Sequence, residues 1–392
     1  MSKKVGYAKL VTVIFLLMIF GVFVADRVLI AIEAKRMPEE FMDHEFLLYP
    51  YKKSSHFTGV VYGDLTDLRT KRLYGHARKT DVSTDDLGFM SPLGSRPDGS
   101  DVVVIGDSFT QGPSNKETVA GLISGRSGHV AYNMGFGGYP VNSALAFLSD
   151  FQPLAPRDFS GMRQKTLVFV LCKRNLAGES VSEIIARFTI SPEKLERKKL
   201  NREVFRYFPH NIVKYAKRHS AVIKSITPYA AGADEFLGRA DPASNVVVGR
   251  DGVLFLPDDV GFSRRSISDE SIKQFADVML FMKTQAGMRG FKLIVALVPD
   301  KSDVYPGYLP KELRPREGDT VAAHFDKVVQ ALNDNGVESI NVLPVLRMQA
   351  REHDGLYYYY PDDTHWNPRG MKVAADLVLH RMGPAGRYIT IR

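Results

Sequence analysis

Two short blocks of this sequence hold residues able to do covalent chemistry. In the first, Val103-Val-Ile-Gly-Asp-Ser-Phe-Thr-Gln-Gly112, Ser108 follows an apolar run and a Gly-Asp pair. The second is Asp362-Asp363-Thr364-His365-Trp366-Asn367-Pro368-x-Gly370. A serine hydroxyl is a poor nucleophile until a base takes its proton, and an imidazole beside a carboxylate is such a base. Asp and His this close in sequence can supply the base and its orienting carboxylate from one turn before a helix. Pro361 and Pro368 bracket the segment, and the single Trp of the chain follows the His. The chemistry on offer is acyl transfer through Ser108, provided that the fold joins two distant parts of the chain.

The elements that must position these groups are also legible. Asp101-Val-Val-Val-Ile105 is a continuous β-branched run, the pattern of a strand buried on both faces. It stops at Gly106-Asp107-Ser108, which puts the Ser108 hydroxyl at the carboxyl edge of a sheet, where open α/β folds bind ligands. The Ser108 N–H is then free to face a developing oxyanion. Thr166–Leu171 and Phe291–Val298 have the same strand character. Between them, Ser268 to Met288 has helical spacing, with Ile272, Phe275, Ala276, Met279 and Met282 on one face, and Gly290 closes it. Strands alternating with helices predict a parallel sheet covered on both faces, in a three-layer α/β/α sandwich.

Composition bounds the class. The 392 residues, 44% hydrophobic and 24% charged, suit a globular chain with an ample core. One cysteine, Cys172, excludes a disulfide framework and a thiolate metal site within the chain. No HExxH or paired-His spacing suggests a metal, and no cofactor is expected. Lys3, Lys4 and Lys9 precede an uncharged apolar run from Leu10 to Ala25, then Asp26 and Arg27. The run is short for a span, but Lys9 and Arg27 can snorkel and Val28 to Ile32 extend it. Cleavage as a signal peptide after Ala25 would put Phe23 where a small residue belongs, so an uncleaved anchor over 1–32 is favoured. The lysines place the N-terminus in the cytoplasm and the rest outside it, on the inner (cytoplasmic) membrane. Residues 33–59 read as a stalk and 60–392 as the catalytic domain. Arg187 to Lys224 carries eleven Lys or Arg against three Glu, an excess equal to the net +8 of the chain. It lies in a helical insertion at about 176–244. The basic run is a solvated helical face or a contact for anionic lipid or polymer, and an exported chain does not meet nucleic acid.

These blocks resemble the SGNH (GDSL-type) hydrolases, and within them most the alginate O-acetyltransferase (AlgX/AlgJ-like) group. Gly106-Asp-Ser-Phe-Thr is similar to the first block, which makes Ser108 the nucleophile. Asn133-Met-Gly-Phe-Gly-Gly138 resembles the second, whose last glycine, Gly138, would supply an oxyanion N–H. Lys173-Arg-Asn-Leu176 sits where the third block offers an Asn side chain; without the usual Gly-x-Asn-Asp, Asn175 is an oxyanion donor or a plain loop Asn. Three stretches resemble the acetyltransferases in particular: Val246–Phe255 as a glycine-containing entry strand, Val298-Pro-Asp-Lys301 with the Tyr-Pro segment around Tyr305 and Tyr308, and Asp363-Thr-His-Trp366. The last favours Asp363 as the acid; the Asp-x-x-His of ordinary SGNH hydrolases selects Asp362. The block order departs from the acetyltransferases, where the Asp-His pair precedes the serine block.

The resemblance implies a membrane-anchored, extracytoplasmic O-acetyltransferase acting on an exported polysaccharide, with a multipass membrane protein delivering the acyl group. Hydrolysis, as a carbohydrate acetylesterase or GDSL esterase, is the alternative, and a non-catalytic glycan-binding scaffold a third class. Lys301, Tyr305 and Tyr308 either border the substrate cleft or pack a loop. Gly88-Phe89 and the tyrosine run 357–360 read as structural, although stacked tyrosines can bind sugar rings.

Overall fold

In the computed structural model, the residues described are 51, 53–66, 74–91, 96–138, 140–151, 165–176, 246–263, 267–315 and 321–383, with Gly21 and Val24. Apart from Gly21 and Val24, the expected anchor over 1–32 lies outside them, as do most of the stalk and the basic run 187–224. Among the described residues, no helix is long and apolar enough to cross a membrane.

In chain order the elements are β1 (His56–Val61), β2 (Arg78–Ser83), β3 (Val102–Gly106), α1 (Val119–Arg126), β4 (Ala131–Asn133), α2 (Pro140–Asp150) and β5 (Lys165–Cys172). There follow β6 (Val247–Val248), β7 (Leu254–Phe255), α3 (Pro257–Ser263), α4 (Asp269–Gly287), β8 (Phe291–Val298) and α5 (Lys301–Val304). The last are α6 (Val321–Asp334), β9 (Glu338–Asn341), α7 (Leu343–Ala350) and α8 (Pro368–Met382). The stretch 246–255, expected as one entry strand, is instead an antiparallel pair, β6 with β7, turned at Asp251 and Gly252 by two positive-φ residues.

The central sheet runs β4-β3-β5-β8-β9, every pair parallel. The β-branched runs account for its middle: all five residues of β3 are buried, as are seven of the eight in β5. Right-handed crossovers in this order put α1 on one face and α2, α4 and α6 on the other. Accordingly α8 packs on α1, and α6 packs on α4. Helix α4 starts at Ser268, whose hydroxyl accepts the Ser271 N–H, and buries Ile272, Phe275, Ala276, Met279 and Met282 as its spacing predicts. The result is a three-layer α/β/α arrangement.

From β3 the chain turns first to β4 on one side and then to β5 on the other. Parallel sheets open a crevice at the carboxyl ends of strands flanking such a reversal, here β3 and β5. Gly106 ends β3 with φ +149°, and a Cβ there would stand 2.2 Å from the Val170 carbonyl oxygen of β5. Only glycine lets β3 turn this close to its neighbour and release Ser108 into the crevice. Gly106→Ala is expected to cost about 3 kcal/mol or more of stability, from strain plus overpacking. A denaturant midpoint unchanged from wild type would contradict this account.

Candidate active site

Asp107 builds the nucleophile end. Its buried carboxylate accepts the Phe109 N–H at 2.9 Å, capping the single turn Ser108–Thr110, and the Cys172 N–H at 3.2 Å. It also accepts from the Asn175 amide. One side chain therefore pins the ends of β3 and β5 together. Burial pushes its carboxyl up from the ordinary value, opposed by the Phe109 and Cys172 N–H groups. The second glycine block lies against this turn: a Cβ on Gly135 would meet the Thr110 hydroxyl at 1.6 Å. Gly138 is exposed, with φ +76° and open space where a Cβ would sit.

The candidate base, His365, comes from the segment before α8. Asn367 caps that helix, its side-chain oxygen accepting the Arg369 and Gly370 N–H groups, and Pro368 occupies the first turn, where its missing donor costs nothing. Two residues earlier, His365 Nε2 lies 2.5 Å from Ser108 Oγ. Its Nδ1 lies 2.6 Å from Asp363 Oδ1, which also accepts the His365 N–H at 3.0 Å. With Nδ1–H donating to Asp363, Nε2 is left as the acceptor for the serine proton. Trp366 is fully buried, and its indole N–H donates to the Phe109 carbonyl at 2.9 Å. The Phe109 ring meets both His365 and Trp366, at centroid distances of 4.9 and 5.7 Å.

Asp362, the alternative acid, has another task. Its oxygens accept from Gly63 N–H at 2.8 Å, His76 N–H at 2.9 Å and Arg78 at 2.8 Å. It is completely buried, and the carboxylate on the imidazole is that of Asp363. Arg78 also pairs with Asp363 and lies 4.0 Å above the Tyr360 ring. Burial opposes ionisation of Asp363, but the His365 hydrogen bond and charge, with Arg78, hold its carboxyl well below the usual range. For His365, burial disfavours the imidazolium, yet the Asp363 hydrogen bond and the Asp363 and Asp64 charges outweigh it and raise the imidazole above 6.5.

Lys301 and Tyr305 are packing groups rather than cleft walls. The Lys301 ammonium, 2% exposed, donates to the carbonyls of Tyr360, Pro361 and Asp363 at 3.0, 3.2 and 2.7 Å. Three acceptors match its three protons and hold the segment entering His365. Burial pushes it down to about 7, against the pull of Asp363 and Asp64. The Tyr305 hydroxyl accepts the Tyr357 and Tyr358 N–H groups at 3.1 Å each, so it secures the tyrosine run. Tyr308 is half-buried, with Arg250 4.5 Å from its ring centroid. Phe89 is fully buried and, with Gly88, donates its N–H to Asp85, as a structural turn should. Asn175 is half-buried and engaged with Asp107; its second amide proton is what remains for an oxyanion.

Two residues at the site carried no signal in the sequence. Arg78 lies on β2 and Asp64 in the turn after β1, within a stretch that reads only as charged and turn-rich. Among the described residues, Asp64, Asp363 and His365 are the group able to offer three ligand atoms within 4.8 Å of one another. Those atoms already surround Nδ1, an arrangement suited to stabilising an imidazolium.

Residues 246–387 match the family model described as SGNH hydrolase-like domain, acetyltransferase AlgX. Over that region the chain is similar to the AlgX/AlgJ-like SGNH group. Over 138 residues it is 28% identical to the probable alginate O-acetylase AlgJ of Pseudomonas aeruginosa, covering 35% of this chain and 32% of that one. With the Pseudomonas putida protein of the same name it shares 29% over 130 residues, 33% of this chain and 32% of its relative. The match thus spans about a third of the length of these curated relatives. A solved Bacillus subtilis structure, protein YXIM, aligns with 80% of this chain and 63% of its own at TM-score 0.34 and 13% identity, too low for structural inference. The matched SGNH-like region holds Asp363 and His365; Ser108, Gly138 and Asn175 lie N-terminal to it.

The two carboxylates separate experimentally. Asp363→Asn in the SGNH-like site should lower kcat/KM by about 10²–10⁴-fold with little change in the thermal midpoint, because it misorients the general base. Asp362→Asn should instead lower the midpoint, since Gly63, His76 and Arg78 lose a charged acceptor. Equal kinetic losses from both would contradict the assignment.

Proposed function

We propose that this chain is an extracytoplasmic O-acetyltransferase acting on an exported or cell-surface polysaccharide through an acyl-enzyme on Ser108. The observation that carries the reading is the continuous contact from Ser108 Oγ through His365 to Asp363, at 2.5 and 2.6 Å. The AlgX/AlgJ likeness supports acyl transfer as the reaction class.

His365 Nε2 takes the Ser108 proton as Oγ attacks the carbonyl carbon of an acyl ester. The resulting oxyanion is held by the N–H groups of Ser108 and Gly138, with the remaining Asn175 amide proton as a third donor. Collapse expels the donor alcohol, which takes the proton from His365 and leaves the acyl group on Ser108. An acceptor hydroxyl then gives its proton to His365, attacks the acyl carbon and departs as the new ester, restoring the Ser108 hydroxyl. Water in place of the sugar hydroxyl gives hydrolysis, the second reading, which the serine-first block order favours. The N-terminal apolar run serves as a single-pass anchor in the cytoplasmic membrane, and a multipass membrane protein supplies the acyl donor.

A soluble form from about residue 35, given a chromogenic acetyl ester with and without oligosaccharide, tests this. Wild type should turn over, with Ser108→Ala and His365→Ala lower by orders of magnitude. Ester appearing on the sugar marks transfer; free acetate alone marks hydrolysis. Mutants equal to an active wild type would overturn the serine mechanism.

The base works only when neutral, and its environment raises its pKa. The ascending limb of kcat/KM against pH should therefore have its midpoint above 6.5, the ordinary imidazole value. A midpoint at or below it would contradict the electrostatics described here.

A further inference from the structure

The acid on His365 has a neighbour of the same kind. Asp64 Oδ2 lies 3.4 Å from His365 Nδ1, on the same nitrogen that Asp363 meets at 2.6 Å. The two oxygens of Asp64 accept both donors of Thr364: its N–H at 2.7 Å and its hydroxyl at 2.6 Å. The Thr364 hydroxyl oxygen is in turn 3.2 Å from His365 Nδ1. Asp64 thus touches the imidazole directly and also through the residue beside it.

The turn that carries Asp64 is clamped in place. Gly63 N–H donates to the Asp362 carboxylate, and the Leu65 N–H to the Asp362 carbonyl at 3.3 Å. A Cβ on Gly63 would stand 1.7 Å from that carbonyl oxygen, so the turn lies flat on the backbone preceding the base. A carboxylate facing another carboxylate is costly without a cation beside them. The imidazolium formed in each half-reaction is such a cation.

We propose that Asp64 is a second carboxylate of the base: a positioning residue that shares Nδ1 of His365 with Asp363 and stabilises the imidazolium on which both half-reactions pass. This rests on the Ser108–His365 reading above.

Among the described residues, the charged groups around the imidazole can be named. Asp363 and Asp64 lie at Nδ1, the charge of Arg174, just after β5, opposes protonation of the imidazole, and Asp107 caps the Ser108 turn. Arg78 acts through Asp363. Asp64 is felt as well at Lys301 and Asp259. The Asp363 charge acts on the Asp64 carboxyl in one direction and the His365 charge in the other. Of the two acids, Asp64 is the more open, its side chain 43% exposed against 10% for Asp363.

Asp64→Asn keeps the shape and an oxygen for Thr364 but removes the charge. In the chromogenic ester assay it should lower kcat/KM at the optimum about tenfold, short of the ~10²–10⁴ that a general base contributes. It should also move the ascending limb to lower pH, because a negative charge that favoured the imidazolium has gone. Asp64→Glu should restore part of the limb position. Thr364→Val removes only the hydroxyl and, if bracing were all that mattered, would reproduce the Asp64→Asn loss with the limb unmoved. An Asp64→Asn profile superimposable on wild type overturns the proposal, and so does a loss of rate with an unshifted limb. Ser108→Ala, run alongside, keeps the two readings apart. If it retains activity, the serine mechanism itself fails; if it is dead while Asp64→Asn titrates like wild type, only the role of Asp64 falls.

Discussion

The indole N–H of Trp366 donates to the carbonyl of Phe109, and this bond joins the residue after the base to the residue after the nucleophile. Ser108 and His365 are 257 positions apart, and a contact of 2.5 Å between them demands that both backbones be fixed to a fraction of that length. The Trp366 ring, fully buried against Phe109, supplies the apolar area, and the hydrogen bond supplies the register. Around it the same segment is tied at several other points. Lys301 holds three carbonyls, Arg78 holds the carboxylates of Asp362 and Asp363, and Asn367 caps α8 immediately downstream. A loop secured this densely behaves as a rigid element, which is what a general base requires.

The securing groups are charges taken out of water, and the site carries them in matched sets. Lys173 and Asp303 form a pair with both side chains wholly buried, at 2.8 Å. Arg174 lies 3.1 Å from Asp259 and 3.5 Å from Asp300. Burial, followed by the charge of Asp300, pushes the Asp259 carboxyl up despite Arg174. Buried pairs like these add little net stability, because desolvation offsets their attraction. They fix instead where the ends of β5 and β8 sit relative to Ser108. Breaking one partner leaves a lone buried charge, so the cluster behaves as one unit.

The parts of this design visible in the sequence are those set by local pattern. β3, β5 and β8 fall on the three apolar runs, and α4 lies within one residue of its expected limits, because a buried strand and an amphipathic helix each imprint a period on their own residues. The edge strands were not legible: β4 has three residues and β9 four, too few for a period to show. Asp107 belongs to a legible motif, but its work of clasping β5 is tertiary. Arg78 and Asp64 lie in the β1–β2 region, nearly three hundred positions from the acids and imidazole they serve, and nothing in their own neighbourhood marks them. Lys301 and Tyr305 show the converse: their segment was recognisable, yet whether they faced substrate or backbone depended on three carbonyls and two amides that only folding assembles.

Acceptor choice follows from how open the base is. The His365 side chain is 24% exposed and Ser108 is half-buried, so the acyl group would sit at the rim of the sheet rather than in a sealed cavity. Water then has access whenever the acceptor site is empty, and the imidazole cannot distinguish a water proton from a sugar hydroxyl proton. What can distinguish them is residence: an acceptor held against the rim has a far higher effective concentration at the acyl carbon than its bulk value. In the proposed mechanism transfer and hydrolysis would therefore be two outcomes of one chemical centre, separated by how well the surrounding surface holds a sugar. On the proposed mechanism, the imidazole and the Trp366 bond would set the rate of both, and the acceptor surface their ratio.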